Sequence, residues 1–268
     1  MVNPVERGSK KGIAMSQTFN KCIARMKGEF VQGLIDNNML LIAPDPKKLQ
    51  TKETSGPADE NFWFTLKSGA KSPLFWSIQT IQDNPCLWYL AVSLLVNRIQ
   101  ELGLEFDKVA GVPEGMTATA AVVGYEFGKG VLTIRKQEKS HGQGGMIVGN
   151  LKPEDRVLVL EDVATTGLSI LSEAALKLQK LSGAKNVKDA VVLLDRQQGA
   201  TENLAAGWHI TADKDSGHAV VMNNDGPHPV RLHSVLTQSE AIKYWNPTTP
   251  HHKAMKPIIE KYLAQNTK

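Results

Sequence analysis

The chain has 268 residues, 41% hydrophobic and 22% charged, with a formal net charge of +4. This composition fits one large or two small globular domains and excludes fibrous and disordered classes; the weak positive charge suits an anionic small substrate and gives no nucleic-acid footprint. No apolar run approaches the roughly 18 residues of a membrane span, no secretory leader opens the chain, and Cys22 and Cys86 make no metal or redox spacing, so a cytoplasmic protein with both cysteines buried and reduced is expected.

Residues 1–15 carry Gly, Ser and Lys without periodicity and read as a disordered tail. Phe19, Cys22, Ile23, Met26, Phe30 and Leu34 then recur at three- and four-residue steps, predicting a helix capped by Ser16 and ended by Asn37 and Asn38. Leu40 to Ile42 is extended, and residues 43–61 form a loop. Phe62 to Ser68 reads as a strand. Gly69, two lysines, Pro73 and the pair Phe75–Trp76 around it admit two readings: a hairpin with snorkelling lysines, which spacing alone favours, or an aromatic wall for a base.

From Asn84 onward helices and strands alternate. Helices are predicted over Asn84–Leu102, Met116–Phe127 and Leu168–Ser182, with a short one over Glu202–Ala206. Strands are predicted over Lys108–Val112, Val131–Ile134, Val157–Leu160 and Ala190–Leu194. Such alternation argues a parallel sheet flanked by helices. Polar residues follow four of its strand ends, after Val112, Ile134, Leu160 and Leu194. Arg135 to Gly145, with three cations, His141 and a run of glycines, has no apolar face and reads as a mobile loop. Gly149 to Asp155 is a turn. Later, Ala219–Met222 and Val230–Val235 read as strands around a turn, Thr237 with Glu240 as a capping box for a helix to Tyr244, and Lys253–Ala264 as a last helix.

The most informative stretch is Val157 to Ser169. A buried strand delivers Glu161 and Asp162 to its carboxyl end, where open α/β sheets bind ligands. Ala164, Thr165, Thr166 and Gly167 form a small-residue turn. Leu168 and Ser169 open a helix whose first N–H groups can cradle a phosphate. Two carboxylates beside a phosphate cradle suit a sugar phosphate.

The stretch resembles the phosphoribosyl-pyrophosphate (PRPP) signature of type I phosphoribosyltransferases. With Phe64 to Pro73, the loop Arg135 to Gly142, Asp195 to Gly199 and His233 to Thr237, the chain resembles orotate phosphoribosyltransferases over residues 16–210 and 230–246. The resemblance implies a type I phosphoribosyltransferase α/β fold: a central parallel sheet flanked by helices, with a small N-terminal hood. Residues 16–268 would form one domain, with the hood in 16–80, the core in 81–246 and a C-terminal helix in 253–264. The implied reaction joins orotate to the ribose of PRPP, releasing pyrophosphate and giving orotidine 5′-monophosphate.

By the same resemblance, Glu161 and Asp162 hold the ribose hydroxyls, Ala164 to Ser169 the 5′-phosphate, and Val163 belongs to the PRPP site. Arg135, Lys136, Lys139 and His141 bind pyrophosphate, with Lys139 as leaving-group stabiliser and His141 donating a proton or a hydrogen bond. Lys67, Phe75, Trp76, Thr165 and Arg196 bind orotate, Arg196 through its planar fork. Mg2+ is implied through PRPP and water, without a direct protein ligand. A homodimer sharing the 135–145 loop across subunits is implied as well. Three departures stand out. Glu114 occupies a position where relatives often carry lysine, the acidic pair is Glu-Asp where many carry Asp-Asp, and residues 211–229 look inserted; Trp76 also stands where relatives commonly have phenylalanine. The competing readings are a transferase for another base and a non-catalytic PRPP sensor; Arg196 argues against the first, and the intact Lys139–His141 loop against the second.

Overall fold

The computed structural model describes residues 5–44, 56–65, 71–139, 145–178, 187–206 and 229–267, with backbone alone for 5–17, 138 and 139. Helix α1 (Val5–Asp36) ends where Asn37 Nδ2 donates to Gly33 O at 2.8 Å and Asn38 turns to φ 56°. Strands β1 (Leu40–Ile42) and β4 (Leu74–Trp76) pair antiparallel, as do β2 (Phe64–Thr65) and β3 (Lys71–Ser72). Helix α2 (Pro85–Glu101) opens with Pro85 in its first turn and Asn84 Oδ1 accepting from Leu87 N at 3.1 Å, which satisfies one of the amides a helix start leaves bare.

Next come β5 (Lys108–Gly111), α3 (Thr117–Glu126), β6 (Gly130–Lys139), β7 (Gly145–Val148) and β8 (Val157–Ala164). Helix α4 spans residues 168–178 and contains a π turn at Ile170–Ala175. It is followed by β9 (Asp189–Asp195), α5 (Ala200–Ala205), β10 (Arg231–Thr237), α6 (Gln238–Tyr244) and α7 (Pro250–Asn266).

Six strands form one sheet in the order β10-β9-β8-β5-β6-β7. All neighbours are parallel except β6 and β7. Period-two alternation divides the core. Val109, Leu158, Leu160, Val191 and Leu193 face one side, packed with α1, α2, α3, α6 and α7; Ala110, Val157, Val159, Ala190 and Val192 face the other, packed with α4 and α5. Each such fully buried branched side chain contributes about 1.5–3 kcal/mol. Both faces are covered, so these strands read as continuous apolar runs. The chain runs outward from β5 to β6, then from β8 through β9 to β10 on the other side. The order therefore reverses between β5 and β8, where ligands bind in open sheets.

Several expectations change. The first helix begins at Val5, so Ser16 lies inside it rather than at its N-cap. Cys22 and Cys86 are exposed free thiols, because each faces away from its helix's buried side. Arg135–Lys139 is not loop: it continues β6 and pairs with β7, a strand the sequence reading missed. An antiparallel edge hairpin needs no apolar face of its own. The last helix starts at Pro250, not Lys253, with Thr249 Oγ1 accepting from His252 N at 3.1 Å. The proposed strand Ala219–Met222 and the 211–229 insertion lie outside the described residues.

Candidate active site

The carboxyl ends of β5, β8 and β9 converge at the switch point. There Glu161 is 6% exposed and Asp162 half-buried. Glu161 Oε2 accepts from Ser169 Oγ at 2.7 Å and its Oε1 from Asp162 N at 3.1 Å. Asp162 Oδ1 accepts from Val163 N at 2.6 Å. Burial, and then the adjacent Asp162 charge, push the Glu161 carboxyl well above the usual carboxylate range. A Cβ on Gly115 would lie 3.7 Å from Asp162 Oδ2 and 3.6 Å from Gln79 Cβ, so the loop after β5 folds directly over this carboxylate.

The cradle follows. Gly167 holds φ 78°, and a Cβ there would stand 2.8 Å from Leu204 Cγ. Both the left-handed backbone and the contact with α5 therefore require glycine. Asn203 Nδ2, also on α5, donates to Thr166 O at 2.9 Å. Thr165 is half-buried at the turn, and Leu168 packs into the α4 side of the core. Ser169 was expected at the phosphate; its hydroxyl instead holds Glu161.

Register places Asp195 beside Ala164, and Arg196 N donates to Ala164 O at 2.9 Å, so Arg196 emerges next to Thr165. Its Nε and Nη2 are buried and find no hydrogen-bond partner among the described residues. Desolvation lowers the guanidinium's proton affinity. Asp195 is buried; burial and then Glu202 raise its pKa, and its Oδ1 accepts from Gln197 N at 2.8 Å. Gln197 in turn sits at φ 56° and its Oε1 accepts from Ser239 N at 3.0 Å at the start of α6.

On the other flank, Arg135 Nη1 donates to Gly145 O at 2.8 Å across the hairpin. Lys136 Nζ stands 3.7 Å from Glu114 Oε2, which explains how an acid is accommodated in this loop. Lys177 Nζ donates to Arg135 O at 3.0 Å, Lys136 O at 3.2 Å and Glu173 Oε2 at 2.6 Å. The backbone of Lys139 ends β6; its side chain, with His141 and Lys67, lies outside the described residues.

The aromatic pair is split. Adjacent strand residues face opposite ways. Trp76 is buried in the core and its Nε1 donates to Gln238 Oε1 at 2.7 Å, while Phe75 is exposed and packs 5.7 Å from Phe64. The two rings do not form one wall. Sequence reasoning assigned no role to Lys177, Gln197 and Gln238, whose long-range partners are 41 to 162 positions away and carry no motif signal.

For a cation the flanking donors are carboxylate oxygens, Asp162 and Glu114, the hard ligand type that suits Mg2+. Among the described residues no three acidic, His or Cys side chains gather into a cage for it. Among the described residues, no helix is long and apolar enough to cross a membrane.

No family model matches the chain. The orotate phosphoribosyltransferase of Pyrococcus abyssi is 40% identical over 141 residues, 53% of this chain and 76% of that protein. The uridine 5′-monophosphate synthase of Bos taurus is 34% identical over 179 residues, 67% of this chain but only 32% of that one. Among solved structures, orotate phosphoribosyltransferase from Aeropyrum pernix superposes with a TM-score of 0.54 at 24% identity, over 80% of this chain and 96% of that chain, which establishes the shared type I phosphoribosyltransferase fold. On sequence likeness across most of a relative's length, and on this fold, the chain belongs to the orotate phosphoribosyltransferase family.

Proposed function

We propose that the chain transfers the 5-phosphoribosyl group of PRPP to orotate at the carboxyl ends of β8 and β9, forming orotidine 5′-monophosphate for UMP biosynthesis. The observation that carries this reading is Arg196. A half-buried guanidinium with two buried nitrogens that find no partner among the described residues is costly unless a ligand anion completes it, and orotate brings a carboxylate that matches its fork.

The 5′-phosphate sits on the backbone of Ala164 to Ser169, and Asp162 with Glu161 takes the ribose hydroxyls. As the bond from ribose C1′ to the pyrophosphate oxygen breaks, its electron pair leaves with pyrophosphate and the orotate nitrogen bonds to C1′, its N–H proton passing to the departing pyrophosphate. Positive charge builds on the ribose ring, and the half-buried Asp162 carboxylate offsets it. Arg135, Lys136, Lys139 and His141 receive the departing anion, with Lys139 giving the largest effect. Lys67, Thr165 and Phe75 frame the base, while Trp76 supports the strand from the core. Mg2+, bound with PRPP, supplies further neutralisation of the pyrophosphate charge; Asp162 and Glu114 are the side chains that would face it through water.

The active form is a homodimer in which the 135–145 segment serves the neighbouring site. In support, α2 and α3 present an apolar groove of about 470 Å³ lined by Trp88, Val92, Val96 and Val122, with Tyr89 71% exposed and Tyr125 83% exposed at the same face. Two free thiols fit a reducing cytoplasm.

The test is turnover of orotate with PRPP, followed by loss of orotate absorbance, with hypoxanthine and uracil as controls. Arg196→Ala should raise the orotate KM on the order of 100-fold while the PRPP KM moves little, as expected for losing one partner of a desolvated charge pair. No turnover with orotate, or an effect on PRPP alone, would refute the assignment.

A further inference from the structure

We infer that Lys177 is a positioning residue that fixes the pyrophosphate-binding strand at a set distance from the 5′-phosphate cradle, so that the two elements together measure the length of PRPP. The inference rests on the reading that residues 135 and 136 meet pyrophosphate and residues 164–169 the 5′-phosphate.

An ammonium has three donors, and Lys177 uses all of them on Arg135 O, Lys136 O and Glu173 Oε2 while only 14% exposed. Successive carbonyls of a regular strand point in opposite directions, so one ammonium cannot reach both. The β6–β7 register shifts between Ile134 and Lys139, and that irregularity turns the two carbonyls to the same side. Bulges of this kind re-aim side chains beside active sites. Here the irregular strand carries Arg135 and Lys136, and the ammonium holds its geometry.

The other end of the link is the helix that begins at the cradle. Lys177 is in the last described turn of α4, whose first residues follow Gly167. The π turn Ile170–Ala175 adds a residue to one turn and rotates everything after it by about 100° around the helix axis. That rotation is consistent with Lys177 facing β6, where Glu173, one turn earlier, steadies it. A single rigid helix therefore presents the cradle at one end and the clamp on β6 at the other.

PRPP spans both elements, whereas ribose 5-phosphate engages only the cradle and orotate meets the cradle at Thr165 alone and not the pyrophosphate strand. Lys177→Met in the full chain should raise the PRPP KM about tenfold (about 1.4 kcal/mol). It should leave the ribose 5-phosphate inhibition constant, the orotate KM and kcat within about threefold, and speed hydrogen exchange over β6. Lys177→Arg, which keeps donors for both carbonyls, should restore the PRPP KM. Lys136→Ala serves as the control for the underlying reading. If Lys136→Ala raises the PRPP KM and Lys177→Met does not, the clamp is refuted and the pyrophosphate assignment stands. If neither does, both fall. Equal weakening of ribose 5-phosphate or orotate by Lys177→Met, or no rescue by arginine, also overturns the proposal, since plain destabilisation would account for it.

Discussion

Glu161 illustrates how one residue carries both chemistry and a stability cost. Its folded carboxyl binds a proton more tightly than the unfolded one, because burial and the Asp162 charge disfavour the anion. The native state thus holds more protons than the unfolded state above the ordinary carboxylate range, and stability falls as pH rises through that window. Glu161→Gln removes the titration. Its Tm should decline less than the parent's as pH rises above the ordinary carboxylate range. Parallel Tm curves would show that Glu161 does not titrate there. Gly167 is constrained twice, by φ 78° and by the 2.8 Å approach to Leu204 Cγ. Gly167→Ala should cost about 1–3 kcal/mol in denaturant unfolding. Adding Leu204→Ala would relieve only the contact, so a full rescue by the double variant would mean that backbone conformation is unimportant.

The short helix α6 joins parts of the site that the sequence keeps far apart. Ser239 N is held by Gln197, next to Arg196, and Gln238 holds the Trp76 indole of β4. The turn that aims the guanidinium is therefore tied to the strand carrying Phe75. Trp76→Phe strands the buried Gln238 oxygen and should cost about 1–3 kcal/mol, and Gln238→Leu on that background should return part of the loss. The cycle is read by denaturant unfolding; strict additivity of the two changes would mean the 2.7 Å bond contributes nothing. This tie also shows why the aromatic pair was misjudged. Composition places Phe75 and Trp76 side by side, but strand parity puts one outward and the other into the core.

At the scale of the whole molecule, the proposed shared loop has a sharp consequence. Lys139→Ala and Arg196→Ala damage different halves of the reaction, so at orotate well below the raised KM each homodimer should be nearly inactive. Mixing them under conditions that exchange subunits should restore about a quarter of normal activity, since random pairing leaves half the dimers mixed, each with one intact site. No recovery would mean that each chain completes its own site. The sequence by itself determined the alternating α/β order, the acidic pair at a strand end, the glycine-bearing cradle and the family those residues belong to. These were legible because strand period, turn chemistry and phosphate binding are local properties of a few consecutive residues. It could not determine that Arg135–Lys139 pairs as a strand with β7, that Trp76 and both cysteines lie opposite to expectation, or that Lys177, Gln197 and Gln238 brace the site. Those depend on which elements become neighbours and which face each turns inward, and that is decided when two layers of helices close over the sheet, not by any stretch of the chain alone.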